Sequence, residues 1–250
     1  MKKRIIPCLD IKNGRVVKGQ KFENIQDVAD PVELAKQYER DQADIVFMLD
    51  ITGDDRPAFL SIVKEVSKSI NIPLYIGGGI RSLEDIAEVL EAGAAKVSIT
   101  SAAIDQPDLL NKACKEFGPD KIVLSIDAKK CAENIWHAFT AGGKNDSGLD
   151  VVEWAKQGVA AGVSEILLNS IDADGVKDGY DIALNKAVAS AVTIPVIASG
   201  GAGDLEHFQE IFSETTVNAA LAASVFHYNE INITDLKEYL LNFDIDVQEV

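Results

Sequence analysis

Short apolar runs alternate along the chain with stretches in which apolar residues recur every three or four positions. Near-continuous apolar runs are the pattern of strands covered on both faces, and the longer spacing is that of helices with one buried face. The runs predict strands over residues 4–9, 45–49, 74–76, 96–99, 121–126, 165–168, 196–198 and 219–222. The helical spacing predicts helices over 31–40, 58–69, 83–92, 107–117, 151–161, 182–190, 205–212 and 235–241. Local chemistry agrees with several of these starts and stops. Asp30-Pro31 offers an N-cap followed by a first-turn proline, and Ser82-x-x-Asp85 resembles a capping box. Gly93, Gly118 and Gly162 stand where left-handed helix ends are common.

Strict alternation of strands and helices implies parallel strands joined by crossover helices. An open doubly wound sheet is the alternative, but eight such units in 250 residues fit a (β/α)8 TIM barrel better. The chain also repeats itself. Asn71-Ile-Pro-Leu-Tyr-Ile-Gly-Gly-Gly79 resembles Thr193-Ile-Pro-Val-Ile-Ala-Ser-Gly-Gly201, and the apolar run ending in Asp10 has a counterpart ending in Asp127. These offsets predict one barrel domain over 1–250 built from two half-barrel repeats, about 1–120 and 121–250. Two connections are expected to be long loops, 13–30 after the first strand and 128–147 after the fifth. The second contains Thr140-Ala-Gly-Gly-Lys-Asn145, read as mobile. Long loops in a compact domain are often functional.

The net charge of −16 leaves no basic excess to neutralise nucleic-acid phosphates, so no nucleic-acid partner is expected. A small phosphorylated ligand stays compatible, because backbone N–H groups hold phosphate locally. Cys8, Cys114 and Cys131 are widely spaced, and His137, His207 and His227 are scattered. That pattern predicts a reducing compartment and neither metal nor cofactor. No run approaches a membrane span, and no signal peptide is recognisable, so a cytoplasmic location is expected.

In a barrel the C-terminal strand ends converge on one face. Asp10 and Asp127 end strands one and five, which stand opposite each other. Two carboxylates across a mouth suit general acid and general base work, although either alone is explained equally well by loop capping or by pairing with Lys12 or Lys129. Gly77-Gly78-Gly79 and Ser199-Gly-Gly-Ala-Gly203 precede helices, and Thr100-Ser101 and Ala223-Ser224 end the strands that follow. Each half therefore pairs a glycine turn with a hydroxyl turn, and the duplication points to a substrate with a phosphate at each end. Asp50, Asn169, Asp174 and Gly175 are further candidates at strand ends.

These residues, taken together, resemble a known family. The opening Arg4-Ile-Ile-Pro-Cys-Leu-Asp-Ile-Lys-Asn-Gly-Arg-Val-Val-Lys-Gly19 is similar to the cyclase subunit of imidazole glycerol phosphate synthase, of histidine biosynthesis. So are Leu49-Asp-Ile-Thr52, Gly77-Gly-Gly-Ile80, Ile126-Asp-Ala-Lys129, Ser170-Ile-Asp-Ala-Asp-Gly175, Ile197-Ala-Ser-Gly-Gly-Ala-Gly203 and Ala222-Ala-Ser-Val-Phe-His227. The sister ribotide isomerase shares the half-barrel plan but usually carries Ala-Ile-Asp where this chain has Cys8-Leu9-Asp10. A third reading is a non-catalytic paralogue relaying ammonia in another amidation system.

The resemblance implies a lyase that takes ammonia from a glutaminase docked on the N-terminal barrel face. A bis-phosphorylated ribulosyl-formimino aminoimidazole carboxamide ribotide would be converted to imidazole glycerol phosphate and the aminoimidazole carboxamide ribotide. By this carry-over Asp10 and Asp127 are catalytic, with Lys18 and Asp50 assisting. Gly79, Thr100 and Ser101 would hold one phosphate, and Asp174, Gly175, Gly201 and Ser224 the other. Arg4, Lys96 and Glu165 would form an ammonia gate at the barrel base. The sequence departs from the family pattern at Ile45, where the gate usually has Glu, at Ala95, usually Asp, and at Thr100, usually Asn.

Overall fold

The apolar runs become eight parallel strands that close on themselves. The computed structural model describes residues 2–20, 23–53 and 55–248, and the side chains of 18–20 and 23–28 lie outside that description. In chain order the first strands are β1 (Arg4–Lys12), β2 (Arg15–Gln20), β3 (Glu23–Ala29), β4 (Val46–Asp50), β5 (Leu74–Gly77) and β6 (Lys96–Ile99). They are followed by β7 (Ile122–Ala132), β8 (Ile135–Thr140), β9 (Asn145–Asp150), β10 (Glu165–Ser170), β11 (Val196–Ser199) and β12 (Ala219–Ala222). Parallel pairing runs β1-β4-β5-β6-β7-β10-β11-β12, and β12 returns to β1 with Arg4 opposite Ala219. The ring is closed, so this is a (β/α)8 barrel.

The helices are α1 (Pro31–Arg40), α2 (Arg56–Ser69), α3 (Leu83–Glu91), α4 (Ser101–Asp105) and α5 (Leu109–Phe117). The second half contributes α6 (Val151–Ala161), α7 (Ile182–Ala191), α8 (Leu205–Glu214), α9 (Ser224–His227) and α10 (Ile233–Leu241). Their ends follow from the sequence chemistry. Asp30 accepts from Val32 N–H at 3.0 Å and Glu33 N–H at 3.2 Å, and Pro31 fills the first turn. Ser82 and Asp85 form a reciprocal capping box. Gly162 ends α6 in the left-handed conformation. Among the described residues no helix is long and apolar enough to cross a membrane.

The residues expected to be two long loops are ordered differently. Within 13–30, Arg15–Gln20 and Glu23–Ala29 form β2 and β3, an antiparallel ribbon continuing from β1. Residues 128–147 extend β7 and add β8 and β9, a second ribbon at the equivalent place. Polar residues interrupt both segments, so they lack the continuous apolar run by which the buried strands were recognised. Two short helices, α4 and α9, also lie where only strand ends were expected.

Side chains of the barrel strands alternate between two cores. Outward residues such as Ile5, Leu9, Val46, Met48, Leu124 and Ile166 pack under the helices. Inward residues, among them Ile6, Cys8, Phe47, Val123, Leu167 and Ile197, fill the barrel axis. A buried ion pair fastens the last helix to the first strand. Lys237 Nζ meets Asp44 Oδ1 at 2.8 Å, and Asp44 Oδ2 accepts from Ile5 N–H at 2.7 Å. Tyr38 and His227 share a buried hydrogen bond of 2.5 Å between α1 and α9. Lys3 also bridges to Val247, with Lys3 N–H donating to Asp246 O at 2.7 Å.

Candidate active site

The C-terminal strand ends surround a cavity of about 860 Å³. Asp10 and Asp127 both line it. Three strands separate β1 from β7 in either direction round the ring, so the two carboxylates face each other across the mouth. Asp10 is buried and sits in a doubly paired strand, opposite Leu49 of β4 and Val17 of β2.

Asp127 is partly buried and lines the cavity. Burial pushes its carboxyl above the usual carboxylate range; a hydrogen bond from Asn169 opposes this and the negative charge of Asp174 adds to it. That bond runs from Asn169 Nδ2 to Asp127 Oδ1 at 3.1 Å. Ser199 Oγ in turn donates to Asn169 Oδ1 at 3.0 Å. The relay Ser199–Asn169–Asp127 crosses three adjacent strands and fixes which way the Asn169 amide points.

Asp50 has a large structural share. Its Oδ1 accepts from Gly53 N–H at 2.8 Å, Thr52 N–H at 3.1 Å and Thr52 Oγ1 at 3.3 Å, closing the turn after β4. Its other oxygen lies by Gly79, on the cavity side.

The glycine turns are required by space as well as by conformation. A Cβ on Gly78 would lie 2.1 Å from Asp50 O, and one on Gly201 would lie 1.9 Å from Gly179 O. Gly78 has φ of 83° and Gly201 of 107°, both in the left-handed region. Beside each turn a short helix begins at the mouth, α4 at Ser101 and α9 at Ser224, and neither start has a side-chain cap. Gly79, Thr100, Ser101, Asn169, Asp174, Gly175, Gly201 and Ser224 all line the same cavity. The side chain of Lys18 lies outside the described residues. The 140–145 segment is the turn between β8 and β9. It lines the cavity and is tied to α4 by Ala141 N–H donating to Ser101 Oγ at 3.0 Å.

Sequence reasoning passed over the next layer down. Ser98 and Ser125 line the cavity two residues before Thr100 and Asp127. The period of two along a strand was the available signal.

At the other end of the barrel Arg4, Lys96 and Glu165 converge. Arg4 Nη1 meets Glu165 Oε1 at 2.7 Å, and Lys96 Nζ meets Oε2 at 3.2 Å. Lys96 also donates to Ser164 Oγ at 3.0 Å. The Glu165 side chain is only 5% exposed, so this is a buried cluster rather than a surface salt bridge. Ile45 is buried in the axial core beside it. Tyr75, on the neighbouring strand, places its ring 5.4 Å from Lys96 Nζ and its hydroxyl against Glu165 and Arg4. The cluster is thus completed by a phenol that sequence reasoning did not single out.

The family model for histidine biosynthesis proteins matches residues 4–232. The chain is 54% identical over 248 residues, 98% of its own length and 97% of the relative's, to a protein of Oceanobacillus iheyensis named imidazole glycerol phosphate synthase subunit HisF.

Proposed function

The chain belongs to the histidine biosynthesis protein family, and on that premise we propose that it is the cyclase subunit of an imidazole glycerol phosphate synthase, a lyase. The observation that carries this reading is the opposed pair Asp10 and Asp127 across one mouth, flanked on both sides by a glycine turn and a hydroxyl-bearing helix start. A substrate with a phosphate at each end would span that mouth. One phosphate would rest on Gly79, Thr100 and Ser101, and the other on Asp174, Gly175, Gly201 and Ser224. Backbone N–H groups and hydroxyls hold the phosphates there without a cluster of lysines, which suits a chain of net charge −16.

The proposed reaction needs protons moved at two places. Ammonia adds to the ribulosyl carbonyl, and water leaves as the carbon–nitrogen double bond forms. That nitrogen then closes on the formimino carbon. The bond to the aminoimidazole nitrogen breaks, and the leaving nitrogen must gain a proton. Asp127 is the natural donor, because burial favours its neutral carboxyl, with Asn169 holding its orientation. Asp10, from the facing strand, takes protons from the incoming nitrogen. Lys18 and Asp50 are proposed to position the substrate.

Ammonia would enter at the opposite end, from a glutaminase docked over Arg4, Lys96 and Glu165. The axial core between that cluster and the mouth is apolar, lined by Ile6, Phe47, Val123 and Leu167. Such a layer admits neutral ammonia far more readily than ammonium. A cytoplasmic setting follows from the same reading.

Purified protein with the ribulosyl substrate and an ammonium salt at alkaline pH tests the proposal. Loss of the substrate's ultraviolet signal, with both products formed, is the expected result. No turnover under these conditions refutes it, and ammonia-independent turnover of the aldose isomer would assign the isomerase instead.

A further inference from the structure

The ribbon formed by β7, β8 and β9 carries a cluster that the site above does not use. Cys131, His137 and Asp146 come from the three different strands, and one ligand atom from each lies within 4.8 Å of the others. The linear spacing of these residues conceals this, and they read as scattered until the ribbon register is known. His137 stands opposite Lys129, and Cys131 falls two residues beyond Lys129, in the bulge between Lys130 and Ala132. Asp146 stands opposite Phe139, two residues beyond His137. The two-residue period of the strands therefore brings all three to one face of the ribbon. Trp136 and Ala138, which alternate with His137, are buried on the other face.

From this geometry we infer a binding site for a soft divalent cation of the zinc class, with Cys131, His137 and Asp146 as its three protein ligands. Sulfur, imidazole nitrogen and one carboxylate oxygen are a donor set that zinc prefers and that magnesium or calcium does not. His137 Nδ1 already lies 3.1 Å from both Asp146 oxygens. Zinc bonds of about 2.0–2.3 Å in a tetrahedron set ligand atoms roughly 3.2–3.8 Å apart, so a small rotation of the exposed Cys131 side chain completes the site. The fourth position faces solvent and takes water.

On binding, the Cys131 thiol gives its proton to solvent and its sulfur lone pair to the metal, with nothing oxidised or reduced. Asp146 Oδ1 also accepts from Gly148 N–H at 2.8 Å, which orients the carboxylate from behind. Lys129 is the cation on the same face. Its ammonium is drawn over the Phe139 ring, 5.6 Å from the centroid.

A metal here would clip three strands together beyond the mouth. Asp127 lies on the same strand as Cys131, four residues nearer the barrel, or about 13 Å at the usual strand rise. The clipped ribbon also carries the 140–145 turn that lines the cavity. The site is therefore a brace on the active-site rim rather than part of the reacting centre.

Cobalt titration of the untagged full-length chain, under reducing conditions, tests the proposal. One equivalent should produce a thiolate-to-cobalt charge-transfer band with visible bands of tetrahedral intensity, and zinc should displace it. Cys131→Ser should abolish the charge-transfer band, and His137→Ala should weaken zinc binding by about tenfold or more. Both changes lie on a surface ribbon, and Cys8 and Cys114 are buried, so loss of the band reports on Cys131. Zinc should also slow amide exchange within 135–150. Cobalt binding without a thiolate band, or a Cys131→Ser chain that binds as the parent does, would overturn the site. Unchanged exchange on saturation would overturn the brace.

Discussion

Replacing Asp127 by Asn separates what the residue does for chemistry from what it does to the fold. In the unfolded chain this carboxyl ionises in the ordinary carboxylate range. In the fold burial pushes it upward, the Asn169 bond opposes the rise, and Asp174 adds to it. The sign for stability follows. Below the unfolded value the carboxyl is neutral in both states, and the fold keeps its full stability. As pH climbs through the raised folded value that advantage is lost, because an ionised carboxylate must then be held in a crowded site. Asn is neutral throughout, and its oxygen still accepts from Asn169 Nδ2. Asp127→Asn is therefore expected to be more stable than the parent at pH 7, by about 0.5–2 kcal/mol, the range common for single stabilising substitutions. Because Asp127 is only partly buried, the lower half of that range is the better figure, about 1–5 °C in Tm for a chain of this size. Turnover with ammonium should fall by about 10²–10⁴-fold, the share of a lost acid–base group. Calorimetry at pH 7 and pH 4 together with the ultraviolet assay measures both effects, and the stability gap should narrow at the lower pH. A variant that is less stable at pH 7 by the same margin as at pH 4, or one that turns over like the parent, would refute the reasoning.

Gly201→Ala should raise KM and cost about 2–3 kcal/mol, since its Cβ would meet Gly179 O at 1.9 Å with φ at 107°; urea melts and steady-state kinetics measure the two effects. Asp44→Asn leaves the Lys237 ammonium buried without its counter-charge and should cost about 3–5 kcal/mol, most of it recovered in the Asp44→Asn/Lys237→Met pair. Chemical denaturation of the four-member cycle checks this. Glu165→Gln removes the anion that holds Arg4 and Lys96, so ammonium-driven turnover should persist while glutamine-driven turnover with the glutaminase falls. Equal loss in both assays would mean that Glu165 serves the barrel rather than ammonia entry.

The buried half of the barrel was written plainly in the sequence. Residues 31–40 and 151–161 form helices with the bounds their caps and periodicity indicate, because Asp30, Pro31 and Gly162 act locally. Three other starts shifted by two residues. α2 begins at Arg56 because the Asp55 side chain caps Ala58 N–H at 3.1 Å, and α10 begins at Ile233 because Asn232 caps Thr234 and Asp235. What stayed hidden depends on contacts between distant segments. Lys237 reads as one more helix lysine until Asp44 is found beneath it. The ribbons carry no continuous apolar run, and their pairing is set by register rather than by composition. At the mouth, strand-end position identified Asp10, Asp127 and the glycine turns. The Ser199–Asn169–Asp127 relay needed three neighbouring strands to be seen together. Tyr75 was overlooked at the base because its strand reads as an ordinary apolar run, and a phenol in such a run passes for packing.

The pairing of β1 with β12 sets a condition on biosynthesis. The strand that bears Asp10 is made long before its partner, residues 219–222, which lies some two hundred residues further along the chain. Until then β1 has only β4 and its own ribbon for neighbours, and one edge stays open. Ring closure is a contact of very high sequence separation, the kind that slows folding and leaves an unpaired edge exposed meanwhile. A nascent chain stalled before residue 219 should therefore remain sensitive to protease along β1. The Lys237–Asp44 pair and the Lys3–Val247 bridge form later still. Both lock the same strand, so its protection would be complete only once residues 237 and 247 have been made.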